Sequence, residues 1–237
     1  MTNGVSSFNI EYMRSLWRTL DRDTVRVAAL ICASVAVVGV SYGVTAGSAG
    51  FSLWQLLVLA ILVLGASSEF LFIGIIAVGG SPVAAVLAGL LINSRNFAYG
   101  LSVGSFLGQG WRRVVGAHLV NDESVAIATA QSTLARKRAA FWLCGIGIAI
   151  CWPLGALTGG ILGSVVQNPA TLGLDAAFPV VILALVLPAL KERLTLIAAS
   201  VGAVVAVGTS TFLPSGMAPL VALLGMAAVL PFRENAR

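Results

Sequence analysis

The chain has 237 residues, 58% of them hydrophobic and 10% charged, with a mean hydropathy of +0.98 and a formal net charge of +5. A soluble domain carries about 25% charged residues, so composition excludes one. Continuous apolar runs, in place of alternating segments of about ten residues, exclude a transmembrane barrel. A pI of about 9.6 would suggest nucleic acid in a soluble protein; here the basic residues read as flanks of membrane spans, and no nucleic-acid partner is expected.

In chain order, residues 1–26 form a polar segment expected on the cytoplasmic side. Met13, Leu16, Trp17 and Leu20 fall at helical spacing opposite Arg14, Arg18, Asp21 and Arg22. That pattern fits an amphipathic helix in the membrane interface and an ordinary solvated helix equally well. It is not a signal peptide, because basic residues continue to the first span with no cleavage site.

Eight apolar segments follow, at 27–49, 52–78, 82–107, 114–134, 139–163, 174–190, 194–213 and 216–232. Spans of about 17–25 residues cross the hydrocarbon layer. The chain therefore reads as an all-α polytopic membrane protein, with a transport domain at 27–232 and a cytoplasmic tail at 233–237. The fourth segment carries His118, Asn121, Asp122, Glu123, Thr129 and Gln131; if it does not cross, the spans number seven. The positive-inside rule arbitrates. With the fourth segment crossing and the N-terminus inside, eleven flanking basic residues face the cytoplasm and only Arg112 and Arg113 face outward. Both termini are then cytoplasmic.

An internal repeat is visible. Gly39, Gly43 and Gly47 close the first segment and Gly155, Gly159 and Gly163 close the fifth, each set followed by an N-cap candidate, Ser52 and Asp175. Such stripes let helix backbones approach closely. They suggest a 4+4 duplication; chance is the alternative, since glycine is common in membrane helices.

The second segment contains Gly65, Ala66, Ser67 and Ser68, followed by Glu69 and Phe70. Small and hydroxyl residues weaken a helix locally, and carriers use such discontinuous spans to offer backbone groups to a solute. Close packing, with Glu69 pairing Arg95, is the plainer reading. The third segment holds Asn93, Arg95 and Asn96. An Arg at bilayer depth costs at least about 2.5–3.5 kcal/mol, so Arg95 needs a partner among Glu69, Asp122 and Glu123. In the fourth segment His118 and Asp122 are four apart and would share a helix face, with Glu123 about 100° away. Acids in excess over one Arg tend to hold a proton, the physical requirement for proton coupling. His118 reads either as a titrating group or as a structural one.

Pro82 suits a helix start; Pro153, Pro179, Pro188 and Pro219 are candidate kinks. Cys32, Cys144 and Cys151 match no metal spacing and read as packing residues. No nucleotide or dinucleotide fingerprint is present in the sequence, and no cofactor, metal site or catalytic residue is expected. Energy would come from an ion gradient or the solute's own.

Three motifs carry a resemblance to the AzlC family, the large subunit of two-component branched-chain amino acid transporters. They are Gly65-Ala66-Ser67-Ser68-Glu69-Phe70, Leu91-Ile92-Asn93-Ser94-Arg95-Asn96-Phe97-Ala98-Tyr99-Gly100, and Leu119-Val120-Asn121-Asp122-Glu123-Ser124. Gly173-Leu174-Asp175-Ala176-Ala177-Phe178 resembles a fourth element late in the chain. Asn96 departs from the family's usual His, and Glu69 from a frequent Gln. The resemblance implies a non-enzymatic secondary transporter, an exporter of branched-chain or other hydrophobic amino acids in a prokaryotic cytoplasmic membrane. It also implies a small AzlD-type membrane partner with about four spans of the usual length; homo-oligomerisation stays open. In this reading Arg95 receives the substrate carboxylate, aided by backbone N–H groups near Ser67 and Ser68. Glu69 or Asp122 receives the ammonium, aided by Asn93. Phe70, Phe97 or Tyr99 meets the apolar side chain, and Glu69, Asp122, Glu123 or His118 carries the coupled proton. The alternatives are a carrier of another small zwitterionic or polar solute, a channel, and a membrane-embedded enzyme using Asp122, Glu123 and His118.

Overall fold

The structure, a computed structural model, describes residues 19–165 and 189–213 together with Leu187, Val221, Ala222, Leu224 and Gly225. Its regular structure is helical throughout: α1 Arg22–Ser48, α2 Leu53–Leu62, α3 Ala66–Ala77, α4 Pro82–Asn93, α5 Arg95–Val103, α6 Trp111–His118, α7 Asp122–Thr129 and α8 Leu134–Val165. A 3-10 turn at Ala189–Lys191 leads into α9, Arg193–Thr209. The amphipathic stretch before Thr19, nearly all of the sixth and eighth apolar segments, Asp175 with its motif, Pro179, Pro188, Pro219 and the 233–237 tail lie outside the described residues.

Among the described helices, α1 and α8 are long and apolar enough to cross a membrane. α1 starts at Arg22, earlier than the boundary drawn at residue 27, because the Asp21 carboxylate accepts the Thr24 N–H at 2.8 Å and caps the first turn. Lipid gives helices no hydrophobic drive to associate, so contact must come from close packing. The two glycine stripes supply it by facing each other. A Cβ on Gly39 would lie 2.9 Å from the Trp152 carbonyl oxygen, and one on Gly43 would overlap the Ala156 carbonyl. Gly155 and Gly159 abut the carbonyls of Ala36 and Val40 in the same way. These contacts advance in step, from the Asp21–Arg136 ion pair at one end to Val44 and Gly163 at the other, so α1 and α8 run parallel. Pro153 lies inside α8 without ending it.

The three segments between them are each interrupted. In the second, α2 starts where the Gln55 side chain accepts the Ser52 N–H at 2.9 Å and ends before Leu64. That residue has φ 48, left-handed and unusual for a bulky side chain, costing about 1–3 kcal/mol. α3 begins at Ala66, so the break falls at residues 63–65 and, of the small stretch Gly65–Ser68, only Gly65 lies in it, Ala66, Ser67 and Ser68 forming the first turn of α3.

The third segment, expected as one helix, tightens at Ser94. The Ser94 hydroxyl donates to the Leu91 carbonyl at 2.6 Å, and the Phe97 N–H reaches only three residues back, to Ser94 O at 3.1 Å. Serine hydroxyls that bond backward in this way bend helices. The fourth, also expected as one helix, is divided into α6 and α7. Asn121 is extended, at φ −147 and ψ 175, and its side chain accepts the Ser124 N–H. Ser124 returns the bond and also donates to Leu119 O at 2.8 Å. That capping box starts a new helix whatever the surrounding hydropathy. Pro82 occupies the first turn of α4, as expected, and α9 packs through Gly202 against the Ala222 carbonyl.

Candidate functional site

The interruptions in the second, third and fourth segments meet around one cavity of about 350 Å³. The first break contributes Leu64, Gly65, Ala66 and Ser67; the second contributes Asn93, Arg95 and Asn96. From the last come Asn121, Asp122 and Glu123, while Val35 of α1 and Ile148 and Trp152 of α8 close the wall. α3 and α7 thus turn their N-termini toward the cavity, where free backbone N–H groups carry partial positive charge. A Cβ on Gly65 would lie 3.0 Å from Asn93 Oδ1, so glycine keeps that wall open.

Arg95 ties the breaks together. Its Nη1 is 3.0 Å from Asp122 Oδ2, and its Nη2 donates to Ser67 Oγ at 2.8 Å. Of the three carboxylates weighed as its partner, the structure chooses Asp122. The two side chains are 42% and 41% exposed. Four polar atoms of the lining are buried without a hydrogen-bond partner: Asn93 Oδ1, Asn96 Oδ1, Asn121 Nδ2 and Asp122 Oδ1. Each such atom costs about 1–3 kcal/mol, and their concentration in a single wall marks a surface shaped for a polar guest.

Glu69 lies behind this wall. It is 1% exposed and does not line the cavity. Its carboxylate accepts the Gly65 N–H at 2.9 Å and the Trp152 Nε1–H at 3.1 Å, with the Tyr42 hydroxyl beside it. Tyr42, Phe70 and Trp152 box it in, with ring centroids 5.1–6.4 Å apart. No basic side chain pairs with it among the described residues. Trp152 therefore joins the two layers, its ring forming cavity wall and its N–H holding the buried acid.

The structure brings together Gly65, Ala66, Ser67, Asn93, Arg95, Asn96, Asp122 and Glu123. It leaves the other expected site residues outside. Ser68 is buried and donates to the Gly65 carbonyl at 2.8 Å. Phe70 is in the core and Phe97 is 74% exposed on the outer surface. Tyr99 neighbours Asp122 without lining the cavity. His118 does not share a face with Asp122, because α6 ends between them; its Nε2 is 2.9 Å from the Ile61 carbonyl at the end of α2. Val35, Leu64, Asn121, Ile148 and Trp152 line the cavity and were not anticipated. Only Asn121 carried a signal, as the N-cap before two acids. The three cysteines are free, and no cluster fit for a metal ion occurs among the described residues.

A family model described as AzlC protein matches residues 30–166, which contain the cavity. The chain is also similar to the branched-chain amino acid transport protein AzlC of Bacillus subtilis (strain 168), 26% identical over 209 residues, covering 84% of this chain and 81% of that protein. No solved structure matches.

Proposed function

The chain belongs to the AzlC family, and from that premise we propose that it is a carrier for amino acids with aliphatic side chains, branched-chain ones foremost. One observation carries the reading. Three interrupted segments meet at a cavity that offers an Arg–Asp pair, two helix N-termini and unpaired polar atoms of both senses. A zwitterion needs both its ends satisfied in a low-dielectric site, since an unpaired buried charge is prohibitive. Arg95, Asn121 Nδ2 and the first N–H groups of α3 suit its carboxylate. Asn93 Oδ1, Asn96 Oδ1 and Asp122 Oδ1 suit its ammonium. The apolar remainder of the wall, Val35, Leu64, Ile148 and Trp152, suits an aliphatic side chain.

Outward transport, proton coupling and a small AzlD-type partner subunit belong to the same proposal. Support for the proton is that Asp122 and Glu123 stand against a single guanidinium in the lining. Counterflow of labelled leucine in proteoliposomes tests the reading. Valine, isoleucine and methionine should compete, because one methylene discriminates by only about 1–3 kcal/mol; aspartate and lysine should not. Equal transport of aspartate and leucine would overturn it.

A further inference from the structure

A second, larger concavity of about 730 Å³ opens at the end of the molecule where α1 and α8 begin. It continues the cavity's own walls. On α1 it is lined by Val27 and Ile31, and the cavity by Val35, the next position on the same helix face. On α7 it is lined by Ala126 and Ile127, with Ala130 just past the helix end, and the cavity by Glu123, one turn before Ile127. One helical turn rises about 5.4 Å. On both helices the two linings are therefore offset by one turn, with Ile31 and the buried Ile127 on the outer side. The outer space ends at the Arg136–Asp21 ion pair, where Gln131 accepts the Arg136 Nε–H at 3.1 Å.

We infer that the groove between α1 and α7 is the solute's route between the central cavity and the aqueous phase on the Arg136 side, with Ile31 and Ile127 as its gate. This rests on the carrier reading above. A septum of one turn opens by a small parting of α1 from α7. The short α7, free of the glycine contacts that lock α1 to α8, is the element that can move. The polar rim of Asp21, Gln131 and Arg136 admits a hydrated zwitterion, and the two isoleucines keep the cavity dry between passages.

The test uses the full chain with Cys32, Cys144 and Cys151 replaced by alanine. Ala130→Cys is labelled to completion in detergent with a bulky maleimide, reconstituted, and compared with the same protein unlabelled. Ala135→Cys, in the exposed first turn of α8 and off the groove, is the control. Leucine counterflow should fall by about tenfold or more on labelling Ala130→Cys, and stay within about twofold for Ala135→Cys. Failure of Ala130→Cys to label, or full labelling with flux within about twofold of the unlabelled protein, overturns the route. Equal inhibition at both positions does the same.

A second arm needs no transport. A small hydrophilic thiosulfonate should react with Ile31→Cys, and no reaction refutes the route for any solute. Absence of leucine flux in every unlabelled protein would instead count against the amino-acid reading, and the Ile31→Cys result would then decide the route alone.

Discussion

Arg95→Ala separates stability from binding. In the fold, the guanidinium contacts Asp122 at 3.0 Å and Ser67 at 2.8 Å, but the pair is 42% and 41% exposed. A fully buried pair broken on one side costs about 3–5 kcal/mol; an exposed one is worth about 1 kcal/mol or less. The lower figure applies to this partly wetted pair, so the variant should fold with a midpoint only about 2–4 °C lower. Binding should behave differently. Asp122 already has Oδ1 unpaired, and with Arg95 gone the site has a bare carboxylate where it had a cation. Truncating a charge opposite a desolvated ligand group costs about 2–5 kcal/mol, so leucine affinity should drop by roughly thirtyfold to several thousandfold. Thermal unfolding in detergent and isothermal calorimetry on the same sample measure the two effects. Adding Asp122→Ala should recover the midpoint and leave binding lost. An Arg95→Ala protein that binds leucine within about threefold of the parent would refute the assignment of Arg95 to the carboxylate.

Gly43→Leu should disrupt the fold, since even a Cβ there meets the Ala156 backbone, whereas Gly100→Ala, with nothing within 4 Å, should be harmless. Overpacking of this kind costs about 1–3 kcal/mol or more, readable as loss of the monodisperse peak in size-exclusion chromatography. Glu69→Gln preserves an acceptor for Gly65 and should keep leucine exchange with its pH profile unchanged, the proton being held by Asp122 and Glu123; a flattened profile moves the proton to Glu69. At the other end of α1, hydrogen bonds from Thr24, then Arg136, hold the Asp21 carboxyl down at about 2 against 3.8 when free. A depressed folded value contributes stability that is full above the unfolded pKa and lost as pH falls toward the folded one. The melting difference between the parent and Asp21→Asn should therefore be flat above pH 3.8 and shrink toward pH 2. Finally, Lys137→Cys in a cysteine-free chain should react with an impermeant thiol reagent only after intact cells are opened.

The second-segment break was legible to within a few residues from the small stretch Gly65–Ser68, of which only Gly65 is unwound, while Leu64 gave no signal. So was the start of α2 at Ser52, where Gln55 stands ready to complete the cap. The division after His118 had its signal in Asn121 and Ser124, a capping pair. Span length outweighed it, and pairing His118 with Asp122 assumed the very helix that the cap interrupts. Ser94 gave no such warning, since one serine in an apolar run is common and only its bond to Leu91 makes the kink. Trp152 was unreadable for a different cause. Nothing local says that a tryptophan eighty-three positions from Glu69 will donate its N–H to it. Placement of Phe70 in the core and Phe97 on the outer surface likewise depends on how half-helices rotate, which periodicity over a continuous span does not describe.

The parallel course of α1 and α8 sets a condition of parity. Two helices that cross a bilayer in the same sense must be joined by an odd number of crossings. If the second, third and fourth segments all cross they supply three, whereas leaving the fourth alone on the surface would leave two and turn α8 upside down. Its glycines would then meet α1 running the wrong way, and Arg136 would be a membrane's width from Asp21. In an eight-span arrangement, the least hydrophobic of these segments, with two acids at its centre, would then be the one that orients everything after it. In that arrangement, deleting α6 and α7 together would take Asp122 and Glu123 from the cavity and also reverse the second half of the molecule.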